Sequence, residues 1–321
     1  MAAYIARRIV HMVPLLLGIS LVSFGVMQLA PGDFLDELRL DPVISPETIE
    51  QMRASFGLDQ PAYVQYLRWL WRILHLDFGY SFSWKVPVTW LISTRLFNTL
   101  VLSISALLFA WTLAIPIGVY AATHRYSTGD KILTILAFLG ISIPNFFFAL
   151  LLLYVAYLTG WLPIGGMTSI DFEFLPWWEK AIDLARHLVI PTVVLGTATM
   201  ALLMRQMRAQ MLEVLQQDFI RTARAKGLAG AVVTWRHAVR NAINPLISIF
   251  GLELGGILSG AAVTEIVVGW PGMGQLTLDA LLKKDYYLVM GILMMSSVML
   301  IIGNLVADLL LAWSDPRIRY D

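Results

Sequence analysis

Residues Asp218–Pro245 read DFIRTARAKGLAGAVVTWRHAVRNAINP. The stretch is basic, broken by glycine, and set between two hydrophobic runs, 188–204 and 246–268. Phe219, Ala223, Lys226 and Gly227 fall at i, i+4, i+7 and i+8, and Arg221, Arg224 and Lys226 line much of the remainder. That is the spacing of a short amphipathic helix, and Gly227 is placed to end it in a left-handed conformation. Val232, Val233 and Trp235 then begin a second apolar patch. A membrane protein that keeps such a segment in water between two spans is equipped to touch something there. On the residues alone, a basic juxtamembrane helix drawn to anionic lipid satisfies the same pattern.

The composition around it is that of an integral membrane protein. Of 321 residues 58% are apolar and only 14% charged, against about 25% charged in a soluble domain. The net charge of +1 says little, because in a membrane protein the placement of charge matters more than its sum. The chain has no cysteine, which excludes disulfides, thiolate metal sites and cysteine nucleophiles. The N-terminus has a basic start and an apolar run from 9 to 30. That run is longer than a signal-peptide core and no small-x-small site closes it, so it is expected to be a retained first span.

Crossing the hydrocarbon core takes about 20 apolar residues. The runs 9–30, 99–122, 132–158 and 288–313 meet this, while 188–204 is short and 246–268 carries Glu253 and Glu265. Positive charge assigns these two. Arg7 and Arg8 place the N-terminus in the cytoplasm, and His124, Arg125 and Lys131 place the next turn there. The loop 159–186 is acidic, with Asp171, Glu173, Glu179 and Asp183. The segment 205–243 carries Arg205, Arg208, Arg221, Arg224, Lys226, Arg236 and Arg240 against Glu213 and Asp218, so it belongs in the cytoplasm. Six spans follow, in one all-α polytopic membrane domain with both termini inside and Arg317 and Arg319 on the cytoplasmic side.

Residues 31–98 form the long extracytoplasmic segment, and they have the grammar of soluble helices. Ser45-Pro46-Glu47 reads as an N-cap, a proline at the first helical position and an acid near the positive helix end. Ile49, Met52 and Phe56 share a face, and Gly57 stops the helix. A second helix starts at Pro61, with Tyr63, Leu67, Leu70 and Leu74 as its apolar stripe and Trp69 and Trp71 suited to a membrane interface. The segment reads either as a cap sealing the bundle rim or as a docking surface.

No catalytic signature is present: the chain lacks a phosphate-binding loop, H-E-x-x-H and G-x-S-x-G. None of His11, His75, His124, His187 and His237 has a second histidine at helical ligand spacing, so no metal site is expected. Within the spans, Glu253 sits in GLELGGILSG, where glycines four apart permit close helix approach. It is a candidate pathway residue, with packing as the plainer reading. Glu265, just before VVGWPG, marks the outer mouth and is a candidate gate. Asn304 and Asp308 lie at i and i+4 and read as a structural polar pair.

RTARAKG at 221–227 followed by RHAVRNAINP at 236–245 resembles the cytoplasmic signature of the inner-membrane permeases of peptide-type ABC transporters. The general signature is Glu-Ala-Ala, three residues, then Gly; here Arg221-Thr222-Ala223 stand in its first three places. Further motifs in the same order resemble the peptide, oligopeptide and nickel branch: IARRIVHMVPLLLGISLVSF at 5–24, PGD at 31–33, FGLDQP at 56–61, LDFGYS at 76–81, WPGMGQL at 270–276 and DPRIR at 315–319. The long segment between the first two spans resembles the first, B-type, permease of such systems. The resemblance implies a type I ABC importer permease in a bacterial inner membrane, paired with a second, C-type permease. It also implies two cytoplasmic ATPases that bind ATP and Mg, and an extracytoplasmic binding protein. It makes Asp218–Gly227 the coupling helix, through Asp218, Phe219, Arg221, Thr222, Ala223, Arg224, Lys226 and Gly227. This chain itself then carries no cofactor, and its remaining partner is the lipid bilayer, not nucleic acid.

Peptides are the expected cargo, with nickel, glycoside and antimicrobial-peptide systems sharing the same motifs. An intramembrane hydrolase would have only His187 and Ser103 or Ser105 as raw material, with no motif joining them. An ion-driven secondary transporter would want several intramembrane carboxylates and inverted repeats, and no internal repeat is visible.

Overall fold

A backbone in hydrocarbon must satisfy its own polar groups, and a helix does so within one segment. The computed structural model describes residues 2–29, 35, 45–55, 57–81 and 83–314, and within them the structure is helix after helix. The motifs at 31–33 and 315–319, and Phe56, lie outside the described residues, as do the side chains of Glu253 and Asp308. In chain order the helices are α1 (Ala2–Leu29), α2 (Pro46–Ser55), α3 (Ala62–Leu74), α4 (Val88–Thr123), α5 (Thr128–Ser142), α6 (Asn145–Thr159), α7 (Trp177–Val214), α8 (Asp218–Ala225), α9 (Asn244–Val268), α10 (Met273–Leu282) and α11 (Tyr286–Ser314). Between α8 and α9 the backbone stays helical over 230–242, with a π-helical centre at Val233–Ala238. A two-residue antiparallel hairpin, β1 (Tyr80–Ser81) with β2 (Val86–Pro87), leads into α4.

Among the described residues, four helices are long and apolar enough to cross a membrane: α1, α4, α7 and α11. The run 132–158 is not one straight span, as the sequence suggested. It is broken into α5 and α6, which meet at 105°. Ile143 is extended at φ −81, ψ 122 and Pro144 caps α6. A proline forces the residue before it out of the helical region, so the chain turns there. Counting the bent pair as one span gives five. Helices also outrun the hydrophobic runs: α4 starts at Val88, not 99, and α7 runs Trp177–Val214, well beyond 188–204.

The described chain forms two compact units. One comprises Thr99–Pro271 with the chain from Ile302 onward. Its cores lie where α7 packs against α5, α6 and α9, with Met204, Met207 and Met211 buried on the α7 side. At Gly118 on α4 an added Cβ would sit 2.8 Å from the carbonyl oxygen of Met204, so α4 and α7 touch backbone to backbone there. α5 is fixed at its start by a bidentate ion pair. Arg208 of α7 donates from Nε and Nη2 to the two carboxylate oxygens of Asp130, each at 2.8 Å. Asp130 Oδ2 also accepts from the backbone N–H of Tyr126, and Ser127 Oγ caps the Asp130 N–H. Asp130 is buried at 3% exposure.

The other unit comprises Ala2–Asn98 and Gly272–Ile301. Phe24, Trp69, Phe78, Leu91, Ile92 and Leu288 contribute to its core. The hairpin is tied to the start of α11 by Asp285, fully buried, whose carboxylate accepts from Ser81 Oγ at 2.6 Å, the Ser83 N–H and the Leu288 N–H. In the turn after α3, Arg72 donates to Asp77 at 2.8 Å, and this hydrogen bond holds the Asp77 carboxyl below its ordinary value. The helix boundaries foreseen at Pro46, Gly57 and Pro61 appear as α2 starting at Pro46, Gly57 at φ +68, and Pro61 preceding α3.

Candidate functional site

The signature segment folds as the short helix α8 and the turn after it. Asp218 stands at the helix start, where a negative charge meets the positive end of the dipole. Thr222 Oγ1 bonds back to the Asp218 carbonyl at 2.9 Å. The helix closes with Gly227 at φ +76. The N–H of Gly227 bonds the Arg224 carbonyl at 3.0 Å, and the N–H of Leu228 approaches the Ala223 carbonyl at 3.4 Å. This is the paired closure of a left-handed helix end, which glycine adopts without strain.

Two side chains fix α8 to its own subunit. Ile220 is fully buried and Ala223 nearly so, in one core with Met207, Met211, Val214, Val233, Ala238 and Ala242. Spacing alone groups Ala223 with Phe219 on one face of the helix. The structure turns Ala223 inward and puts Ile220, which spacing passed over, beside it. The alanine is small because α8 lies against its own subunit there. The outward side carries Asp218, Phe219, Arg221, Thr222, Arg224, Lys226 and Gly227, all exposed. Phe219 is 39% exposed, and Leu228, Val232 and Trp235 add 41%, 38% and 52% exposed apolar side chains nearby in sequence. Arg221 and Asp218 approach to 3.5 Å with both side chains largely in solvent, a pair worth only about 0–1 kcal/mol.

The other candidates lie elsewhere. Glu265, in the last turn of α9, is fully buried and accepts from Thr99 Oγ1 at 2.6 Å. Its carboxylate therefore sits in the packing between α4 and α9 and not on an open surface. Just after it, Gly269 at φ +68 ends α9 and the Trp270 N–H returns to the Glu265 carbonyl at 2.8 Å. Glu253 lies on α9 and Asp308 on α11, one turn after the half-buried Asn304. The Asp130–Arg208 pair was missed in the sequence. The only local signal for it was an acid three residues after a capping serine.

The family described as binding-protein-dependent transport system inner membrane component matches residues 114–320, a span that includes α8 and the turn at Gly227. The chain belongs to this family. The N-terminal part of the same class of membrane component matches residues 1–105. The permease is 44% identical over its full length to the oligopeptide transport system permease protein AppB of Bacillus subtilis, which is covered in full. It is 38% identical to the dipeptide transport system permease protein DppB of Escherichia coli K12, covering all of this chain and 99% of that protein. Among solved structures, the MetNI methionine ABC transporter in an inward-facing conformation aligns with a TM-score of 0.55 at 16% identity, over 71% of this chain and 97% of that one. This likeness is one of fold. The protein is thus an all-α polytopic permease of a bacterial inner membrane and a transport component. Its family works with a binding protein and a separate ATPase.

Proposed function

We propose that this permease forms half of the translocation pathway of an ATP-driven importer of di- or oligopeptides. Full-length similarity to oligopeptide and dipeptide permeases supports the cargo class. The observation that carries the mechanism is α8, pinned inward by Ile220 and Ala223 and exposing Phe219, Arg221, Thr222, Arg224 and the Gly227 turn. Such a helix moves with its own subunit when a partner grips its outer side. Two ATPases, binding ATP and Mg between them, grip α8 here and its counterpart on a C-type permease. Their closure rocks the two permeases as rigid bodies between inward and outward access. An extracytoplasmic binding protein delivers the peptide.

The test is reconstitution of the complete transporter in proteoliposomes. Labelled peptide is expected to accumulate only with ATP on the ATPase side, and unlabelled peptide is expected to compete while nickel and glycosides do not. Accumulation of nickel or a glycoside in place of peptide would overturn the cargo assignment.

In this reading the chain crosses six times, with both termini and residues 205–243 in the cytoplasm and residues 31–98 outside. The natural absence of cysteine makes labelling clean. An impermeant thiol reagent added to intact cells is expected to label Asp59→Cys and to spare Gln216→Cys, both at exposed positions. The reverse pattern refutes the topology.

A further inference from the structure

Helix α3 has two apolar faces, and only one of them is covered. Tyr66, Trp69, Leu70 and Ile73 pack into the core of their unit. Tyr63, Leu67, Trp71 and Leu74, at i, i+4, i+8 and i+11, form a second stripe that is 69%, 58%, 66% and 70% exposed. Arg68 and Arg72 are also exposed along the helix. In a water-facing helix these stripe positions would be polar.

Its neighbour α1 says what lies against this stripe. The part of α1 that qualifies as a membrane span is Val10–Leu29, and α3 is attached along the last half of it. Gln28 meets Gln65 at 3.3 Å, near the end of the span. The Phe24 and Tyr66 rings lie 5.3 Å apart, about one turn deeper. Deeper still, the Tyr66 hydroxyl bonds Ser20 Oγ at 2.8 Å, with Ser20 fully buried. Ser20 lies nine residues before Leu29, about 13 Å down the helix at its normal rise. Allowing for the reach of a tyrosine side chain, the α3 backbone lies roughly 5–10 Å below the end of the span, the depth at which interfacial amphipathic helices sit. Over the same stretch α1 presents Leu17, Leu21, Val22, Val26 and Leu29 as exposed apolar side chains, as a span facing hydrocarbon would.

We propose that α3 is an interfacial helix whose Tyr63, Leu67, Trp71 and Leu74 insert into the lipid of the leaflet where α1 ends. Trp71 and Tyr63 are the aromatic types that favour this boundary. Arg68 has a long stem that lets its charge reach the headgroups while the helix stays embedded, and the Arg72 charge is met by Asp77 just past the helix end. The face anchors the segment between the first two spans to the membrane and leaves its remaining surface to protein partners.

The test places single nitroxide labels at Tyr63→Cys, Leu67→Cys, Trp71→Cys and Leu74→Cys, with Asp59→Cys as the aqueous control, in the complete transporter in lipid nanodiscs. Collision with oxygen, which concentrates in lipid, is compared with collision with a water-soluble nickel chelate. Oxygen accessibility is expected to exceed chelate accessibility several-fold at all four positions and to fall below it at Asp59→Cys. Chelate accessibility matching the control means that the face is in water, and low accessibility to both reagents means that it is covered by protein. Either result overturns the proposal. Quenching of a fluorophore at the same cysteines by nitroxide-bearing lipid gives a second readout, with strong quenching expected and none overturning it.

Discussion

Asp130→Ala is expected to lower the thermal midpoint of the assembled transporter and to abolish ATP-driven uptake. The Asp130 carboxylate is nearly inaccessible and receives two bonds from Arg208 and one from the Tyr126 N–H. Removing it strands both donors. Breaking a buried pair by deleting one partner costs roughly 3–5 kcal/mol. Arg208 keeps 26% of its side chain exposed and so recovers some hydration, which puts the cost toward the lower end. The pair joins the start of α5 to α7 within the last two turns of α7, the helix that leads into α8, so its loss loosens the part of the subunit that carries the signature helix. Arg208→Lys retains charge but cannot make two parallel bonds from one planar group, and an intermediate midpoint is expected. Differential scanning of the purified complex together with uptake in proteoliposomes decides it. A wild-type midpoint and wild-type uptake for Asp130→Ala would show that the clamp is dispensable.

What the sequence disclosed follows from the range of the forces involved. Chain ends of helices were readable because their chemistry is local: Ser45-Pro46-Glu47, Gly57, Pro61 and Gly227 each act on the backbone within a few residues, and each appears where expected. Hydropathy placed apolar runs within α1, α4, α7 and α11 but not the lengths of the helices. It reports the part that must avoid water, and α4 and α7 continue past it as ordinary amphipathic helix. The break at Ile143-Pro144 carried a local signal, the extended bias of a residue before proline. A continuous apolar run on both sides masked it. The inward turn of Ala223 was illegible for another reason. An alanine fits a docking groove and a close helix contact equally well, and only the burial of Ile220 beside it separates the two. Ties such as Ser81 with Asp285 or Thr99 with Glu265 join residues far apart in the chain, and no local pattern announces them.

At the signature helix the turn and the proposed docking face make separate demands. An added Cβ at Gly227 meets nothing within 4 Å, so the subunit itself has room for a side chain there. The constraint is the backbone at φ +76. A β-branched residue held in such a conformation costs on the order of 1–3 kcal/mol, whereas asparagine tolerates it. Gly227→Val is therefore expected to open the turn and weaken docking of the ATPase by roughly tenfold or more, since each 1.4 kcal/mol is a factor of ten. ATP hydrolysis would continue with little peptide uptake. Gly227→Asn should keep most of the coupling, and if it fails as badly as valine, the partner packs directly on the glycine. On the outward side of α8 Phe219 is an exposed apolar side chain, while Arg221 is 74% exposed beside a solvated Asp218. An exposed ion pair contributes about 0–1 kcal/mol, but an aspartate in place of Phe219 would carry an unpaired charge into the interface. Phe219→Asp should therefore reduce co-purification of the ATPase far more than Arg221→Ala does. Loss of the ATPase with Arg221→Ala and full retention with Phe219→Asp would mean that charge, not the apolar edge of α8, holds the motor to the permease.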